Sequence, residues 1–215
     1  MFRFWLLVVG ATIIGCFAAG SATVIRRNGA SHPAGPFKAQ RCPAWPSGTG
    51  ILSDGDFHDA LLPQTYQIYS KGTHFAKHWR VSKRTIDVVS SPNDFEAPNG
   101  VCSVDLDGSS VGGVQHSPVP TTPSAAYTLG FLFSGNGCPG ARPTIKTMRV
   151  DAGEQTETLT WDTSNNNDAK HGDYQPQTFN FVGTGKHTEI HFTSLDKPRR
   201  SSCGPVIAAV SVTQN

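Results

Sequence analysis

The most enzyme-like feature of the sequence is a pair of carboxylates, Asp105 and Asp107, in the run Val104-Asp105-Leu106-Asp107-Gly108. Two apart on an extended chain, both point to one face, the one opposite Val104 and Leu106. Glycoside hydrolysis requires two carboxyl groups flanking the bond, about 5 Å or about 6.5–9.5 Å apart. A turn at Asp107-Gly108 accounts for the second aspartate without chemistry. His187 and His191 stand four apart, a metal-binding spacing on a helix, but on a strand they are about 13 Å from each other and hold no common ion. His116 reads equally as a solvated strand residue or a ligand contact. There is no Gly-x-Ser-x-Gly elbow and no glycine-rich phosphate loop leading into a helix. Aromatic residues offer a different chemistry. A pyranose face stacks on a flat Trp or Tyr ring while neighbouring polar groups hold its hydroxyls. Trp79, Trp161 and Tyr174 lie near loop-rich segments, with Tyr66 and Tyr69 upstream of Trp79. Trp79 and Trp161 also read as core residues, the latter sharing a face with Leu159. Tyr174, beside Gly172 and Asp173, is expected to be the most exposed.

The elements that must position these residues are strands. Charged residues make up only 16% of the 215, while Gly (22) and Pro (15) are plentiful, a profile of an all-β chain with many turns. Short runs of alternating character recur between turn residues: residues 85–89, 101–106, 113–116, 126–133, 144–150, 154–161, 177–182, 188–193 and 206–213. In Tyr127-Leu129-Phe131-Phe133 the large apolar side chains sit two apart and share one face. About nine such strands fit two packed antiparallel sheets, a sandwich or jelly roll, over residues 51–215. Residues 23–50 carry Pro33, Pro36, Pro43 and Pro46 and read as a linker or strap.

Before that strap, residues 4–25 carry no charge, and Arg26-Arg27 closes the run. It reads as a secretory signal over residues 1–22, cleaved near Ala22. An uncleaved membrane anchor and a lipidation site at Cys16 are the alternatives, so a membrane is expected only through this segment. Each reading delivers the rest of the chain to an extracellular, cell-surface or periplasmic location. In such an oxidising compartment Cys42, Cys102, Cys138 and Cys203 suggest two disulfides with three possible connectivities, and their wide spacing disfavours a zinc site. The net charge is +2 and no Lys/Arg cluster exceeds two residues, which disfavours nucleic-acid binding.

An ordered set of segments resembles a known family. Ile51-Leu52-Ser53-Asp54-Gly55-Asp56-Phe57 is similar to its opening strand and His78-Trp79-Arg80-Val81 to its Gly-Trp segment. Val104 to Gly108, Gly112-Gly113-Val114-Gln115, Pro123 to Leu129, Ser134-Gly135-Asn136 and Cys203-Gly204-Pro205-Val206-Ile207 follow in order. Together they resemble the bacterial choice-of-anchor C proteins and the plant cell-wall proteins of the domain of unknown function 642 family. The resemblance implies a galactose-binding-like jelly roll associated with cell-wall or surface polysaccharide. It also implies the pairings Cys138–Cys203, from the loop after a central strand to the entry of the last strand, and Cys42–Cys102. Relatives carry Glu where His58 stands and Asp where Ala208 stands. Those carboxylates resemble ligands of a structural Ca²⁺ joining first and last strands, so the ion is expected to be absent or weak here. No sorting tail follows Asn215, and any anchoring is expected at the N-terminus.

The reading that follows is a non-catalytic, exported module for cell-wall or surface carbohydrate, with Tyr174, Trp161 and Trp79 as stacking candidates and Asp105 and Gln115 as polar partners. The alternatives are a structural or adhesive surface protein with a protein partner and, last, a glycoside hydrolase.

Overall fold

Strict alternation over residues 126–133 sets the core. Tyr127, Leu129, Phe131 and Phe133 point inward and are buried, while the residues between them reach the surface. The computed structural model describes residues 40–42, 50–62, 66–90, 101–138, 143–164, 173–185, 187–197 and 202–215. The expected signal or anchor, nearly all of the strap and Gly172 lie outside the described residues.

Fourteen strands and no helix occur among the described residues. They are β1 (Gln40–Arg41), β2 (Leu61–Leu62), β3 (Tyr66–Ser70), β4 (His74–Ala76), β5 (Trp79–Lys83), β6 (Thr85–Val89) and β7 (Ser103–Asp105), then β8 (Gly113–Val119), β9 (Ala126–Gly135), β10 (Ile145–Ala152), β11 (Gln155–Asp162), β12 (Gln175–Val182), β13 (Thr188–Ser194) and β14 (Pro205–Gln214). Two six-stranded sheets run β11-β10-β13-β8-β5-β4 and β12-β9-β14-β7-β6-β3, and β1 pairs separately with β2. Every ladder is antiparallel. The fold is therefore the expected all-β, two-sheet sandwich of jelly-roll type. All nine segments expected as strands are strands, with ends shifted by a few residues.

Inward side chains of both sheets interlock. Phe131 of β9 meets Phe192 of β13 edge-on across the sandwich with ring centroids 5.1 Å apart, and within the second sheet Tyr127 stacks on its ladder partner Phe181 at 5.5 Å. Contacts of this size remove large apolar areas from water and supply most of the driving force.

The segment expected as an opening strand is not one. Residues 51–57 form bends and turns, because Asp54 and Phe57 both take left-handed backbone conformations (φ 57° each), which break the extended run. Two backbone bonds still lay the segment along β14: Ile51 N–H to Val212 O (2.8 Å) and Val210 N–H to Gly55 O (2.8 Å). Phe57 is completely buried and meets Trp79 edge-on at 5.2 Å. The Trp79 indole N–H donates to Asp54 O at 2.8 Å. Trp79 is thus a core residue with no exposed surface. A sugar cannot reach its ring, which corrects its place among the stacking candidates.

Cys42 pairs with Cys102 and Cys138 with Cys203, at Cα separations of 5.5 and 6.0 Å. Both pairings are those implied by the resemblance.

Candidate functional site

The β7–β6–β3 end of the second sheet carries two rows of outward residues. Ladder register places Ile68 opposite Asp87, Asp87 opposite Asp105, and Asp105 opposite Val206. The next row runs Tyr66, Val89, Ser103. Over these rows lies a cleft of ≈ 370 Å³, lined by Tyr66, Ile68, Asp87, Asp105, Ser109 and Asn136 among others. Tyr66 and Ile68 keep 46% and 41% of their surface exposed, so one wall is an open apolar platform ending in a phenol ring. The opposite wall is polar.

Asp105 is 1% exposed and its oxygens are fully engaged. Oδ1 accepts from Asp107 N (2.8 Å) and Gly204 N (3.0 Å), and Oδ2 accepts from Asn136 Nδ2 (2.8 Å). The carboxylate ties β7 to the entry of β14 and the exit of β9. Gly204 is required there, since a Cβ on it would stand 2.5 Å from Asp107 Cγ. Burial, reinforced by the Asp107 charge, pushes Asp105 well above the usual carboxylate range. Asp107 is completely buried. The pair that looked enzyme-like is therefore part of a structural knot, with Asp105 at the floor of the cleft and its oxygens already engaged. Asp87 differs. It is only partly buried, it lines the cleft, and burial with a smaller contribution from Asp107 pushes it up to about 6. Its Oδ1 is shielded and has no hydrogen-bond partner among the described residues.

Tyr174 stands beside this cleft rather than free in a loop. Its half-buried ring packs on the Val89–Val206 pair and on the Val101–Ala208 pair. Its hydroxyl is buried beside Ser103 and Asp105, and burial raises its pKa. The expected exposure of Tyr174 is thereby corrected: aromatic surface laid over valines is withdrawn from water by the hydrophobic effect.

The remaining candidates lie elsewhere. Trp161 points inward at the sandwich edge, its ring edge-on to Phe133 at 5.8 Å. Gln115 faces outward on the other sheet, in a polar row with Arg80, His191 and Asp151. His116 is buried, with ring nitrogens directed at Ser53 O and Ser117 O. Of the five residues singled out in the sequence, the fold brings together only Asp105 and Tyr174. Tyr66, Asp87 and Asn136 complete the site. Their signal was the Tyr66-x-Ile68 alternation and a lone charge inside the apolar strand Thr85-Ile86-Asp87-Val88-Val89.

Several solved structures resemble the fold. The C-terminal carbohydrate-binding module of family 6 from a laminarinase of Zobellia galactanivorans is 9% identical, with a TM-score of 0.42 over 69% of this chain and 98% of that one. A family 61 module solved with β-1,4-galactotriose is 14% identical, with a TM-score of 0.43 over 78% and 100%. A family 35 carbohydrate-binding module from Clostridium thermocellum is 15% identical, with a TM-score of 0.41 over 70% and 92%. No curated relative matches the chain. Residues 50–213 match the model of the family described as "Protein of unknown function (DUF642)", and the chain belongs to that family.

Proposed function

We propose that this protein is a non-catalytic module that binds carbohydrate in the cleft between Tyr66 and Asp87, outside the cytoplasm. The observation that carries the reading is an exposed tyrosine ring beside a carboxylate-lined cleft. Tyr66 and Ile68 offer a surface for the C–H face of a pyranose, and Asp87 accepts hydrogen bonds from its hydroxyls. Asp87 and Asp105 are neighbours on one wall rather than groups on opposite sides of a bond, which favours binding over glycoside hydrolysis. Two disulfides support an oxidising compartment, and cell-wall or surface polysaccharide is the ligand class that the sequence resemblance implies. A polysaccharide array probed with the chain, read alongside reducing-sugar release, tests this. Retention without release is expected; release of reducing ends would make the protein a hydrolase, and no retention on any glycan would remove the reading.

A further inference from the structure

A second cavity, ≈ 480 Å³, opens on the same sheet where β14, β9 and β12 meet the 50–58 turns, and Leu52, Asp54, Asp56, His58, Leu132 and Ser211 are among its lining. We propose that Asp54, Asp56 and His58 bind a divalent transition-metal ion of the zinc class there, where the resemblance implies Ca²⁺. One donor atom from each of the three lies within 4.8 Å of the others. His58 Nδ1 is 2.6 Å from Asp56 Oδ1 and 3.0 Å from Asp54 Oδ1.

A second observation points to a ligand. The Asp54 side chain is only 2% exposed, it lines the cavity, and its Oδ2 has no hydrogen-bond partner among the described residues. An ion held by both Asp54 and His58 would satisfy that oxygen. The turn that presents the donors is fixed independently of any ion, by Phe57 in the core and by Val210 N–H on Gly55 O.

Donor chemistry decides which ion. Ca²⁺ requires six to eight oxygens, largely carboxylate. The last strand offers none, because Ala208 is a buried methyl against Val101 and Tyr174, and His58 supplies nitrogen. One imidazole and two carboxylates with an open side suit Zn²⁺ or a neighbouring divalent ion, water filling the remaining position.

The test is calorimetric titration of the untagged full-length chain, stripped with EDTA, against Zn²⁺, Ca²⁺ and Mg²⁺, with thermal melts in parallel. One Zn²⁺ per chain is expected, with a melting temperature raised by mass action and no comparable effect of Ca²⁺ or Mg²⁺. His58→Gln and Asp54→Asn should each weaken Zn²⁺ binding by about tenfold or more, while His191→Ala leaves it unchanged. His58 is 40% exposed, so His58→Gln keeps the fold, which far-UV circular dichroism checks. Tighter binding of Ca²⁺ than Zn²⁺, no Zn²⁺ binding, or Zn²⁺ binding indifferent to His58→Gln would each overturn the proposal.

Discussion

Asp87 and Asp105 stand directly opposite each other on β6 and β7, two carboxylates on adjacent strands of one face. Like charges so placed oppose folding. The protein limits the conflict by burying Asp105 in a web of donors and leaving Asp87 at the cleft.

Stability should depend on pH through Asp87, whose carboxyl is pushed up by burial and, to a smaller extent, by Asp107. Its folded value of about 6 lies above an unfolded value of about 3.9. The folded state then binds more protons between those values, and stability falls as pH rises. The contribution is fully present below about pH 4 and is lost as pH passes about 6. Asp87→Asn should gain about 1–2 kcal/mol over the parent at pH 7.5, after discounting for solvent screening, and nothing at pH 4. Urea unfolding at the two pH values measures the difference.

Lys146 is wholly buried, donates to Cys203 O, and lies 3.7 Å from Asp196, itself buried. Lys146→Met leaves Asp196 without its counter-charge and should cost about 3–5 kcal/mol. The double variant Lys146→Met with Asp196→Leu should recover much of that loss, as measured by denaturant melts.

Tyr174→Ala should destabilise the fold by about 2 kcal/mol, because it uncovers Val89, Val206 and Val101. A thermal melt unchanged from the parent would mean that the ring is not part of the packed face.

Removing the Cys138–Cys203 bond, which spans 65 residues, should cost about 4 kcal/mol in the chain-entropy picture. Cys138→Ala with Cys203→Ala, followed by urea unfolding, checks this.

The strands were legible because alternation is local: Tyr127, Leu129, Phe131 and Phe133 announce β9 without reference to any partner. The residues 61–83 were harder. There β2 to β5 are short and crowded by turns, and Lys71-Gly72-Thr73 separates β3 from β4. The candidate site was mostly hidden, for a physical reason. Asp87 alone in a strand reads as a solvated position, and its meeting with Asp105 depends on the register between distant segments. Trp79 shows the converse: a tryptophan beside loops drew a binding role, but Phe57 folds over it and seals it in the core.

Calorimetry of a retained oligosaccharide with the parent, Tyr66→Ala and Asp87→Ala decides whether sugar binds in this cleft. Each substitution should weaken binding about tenfold or more, the range of a lost stacking or charge-assisted contact, without unfolding the protein. Parent binding should also tighten as pH rises through about 6 and Asp87 ionises. Undiminished affinity in both variants would contradict the assignment of this cleft.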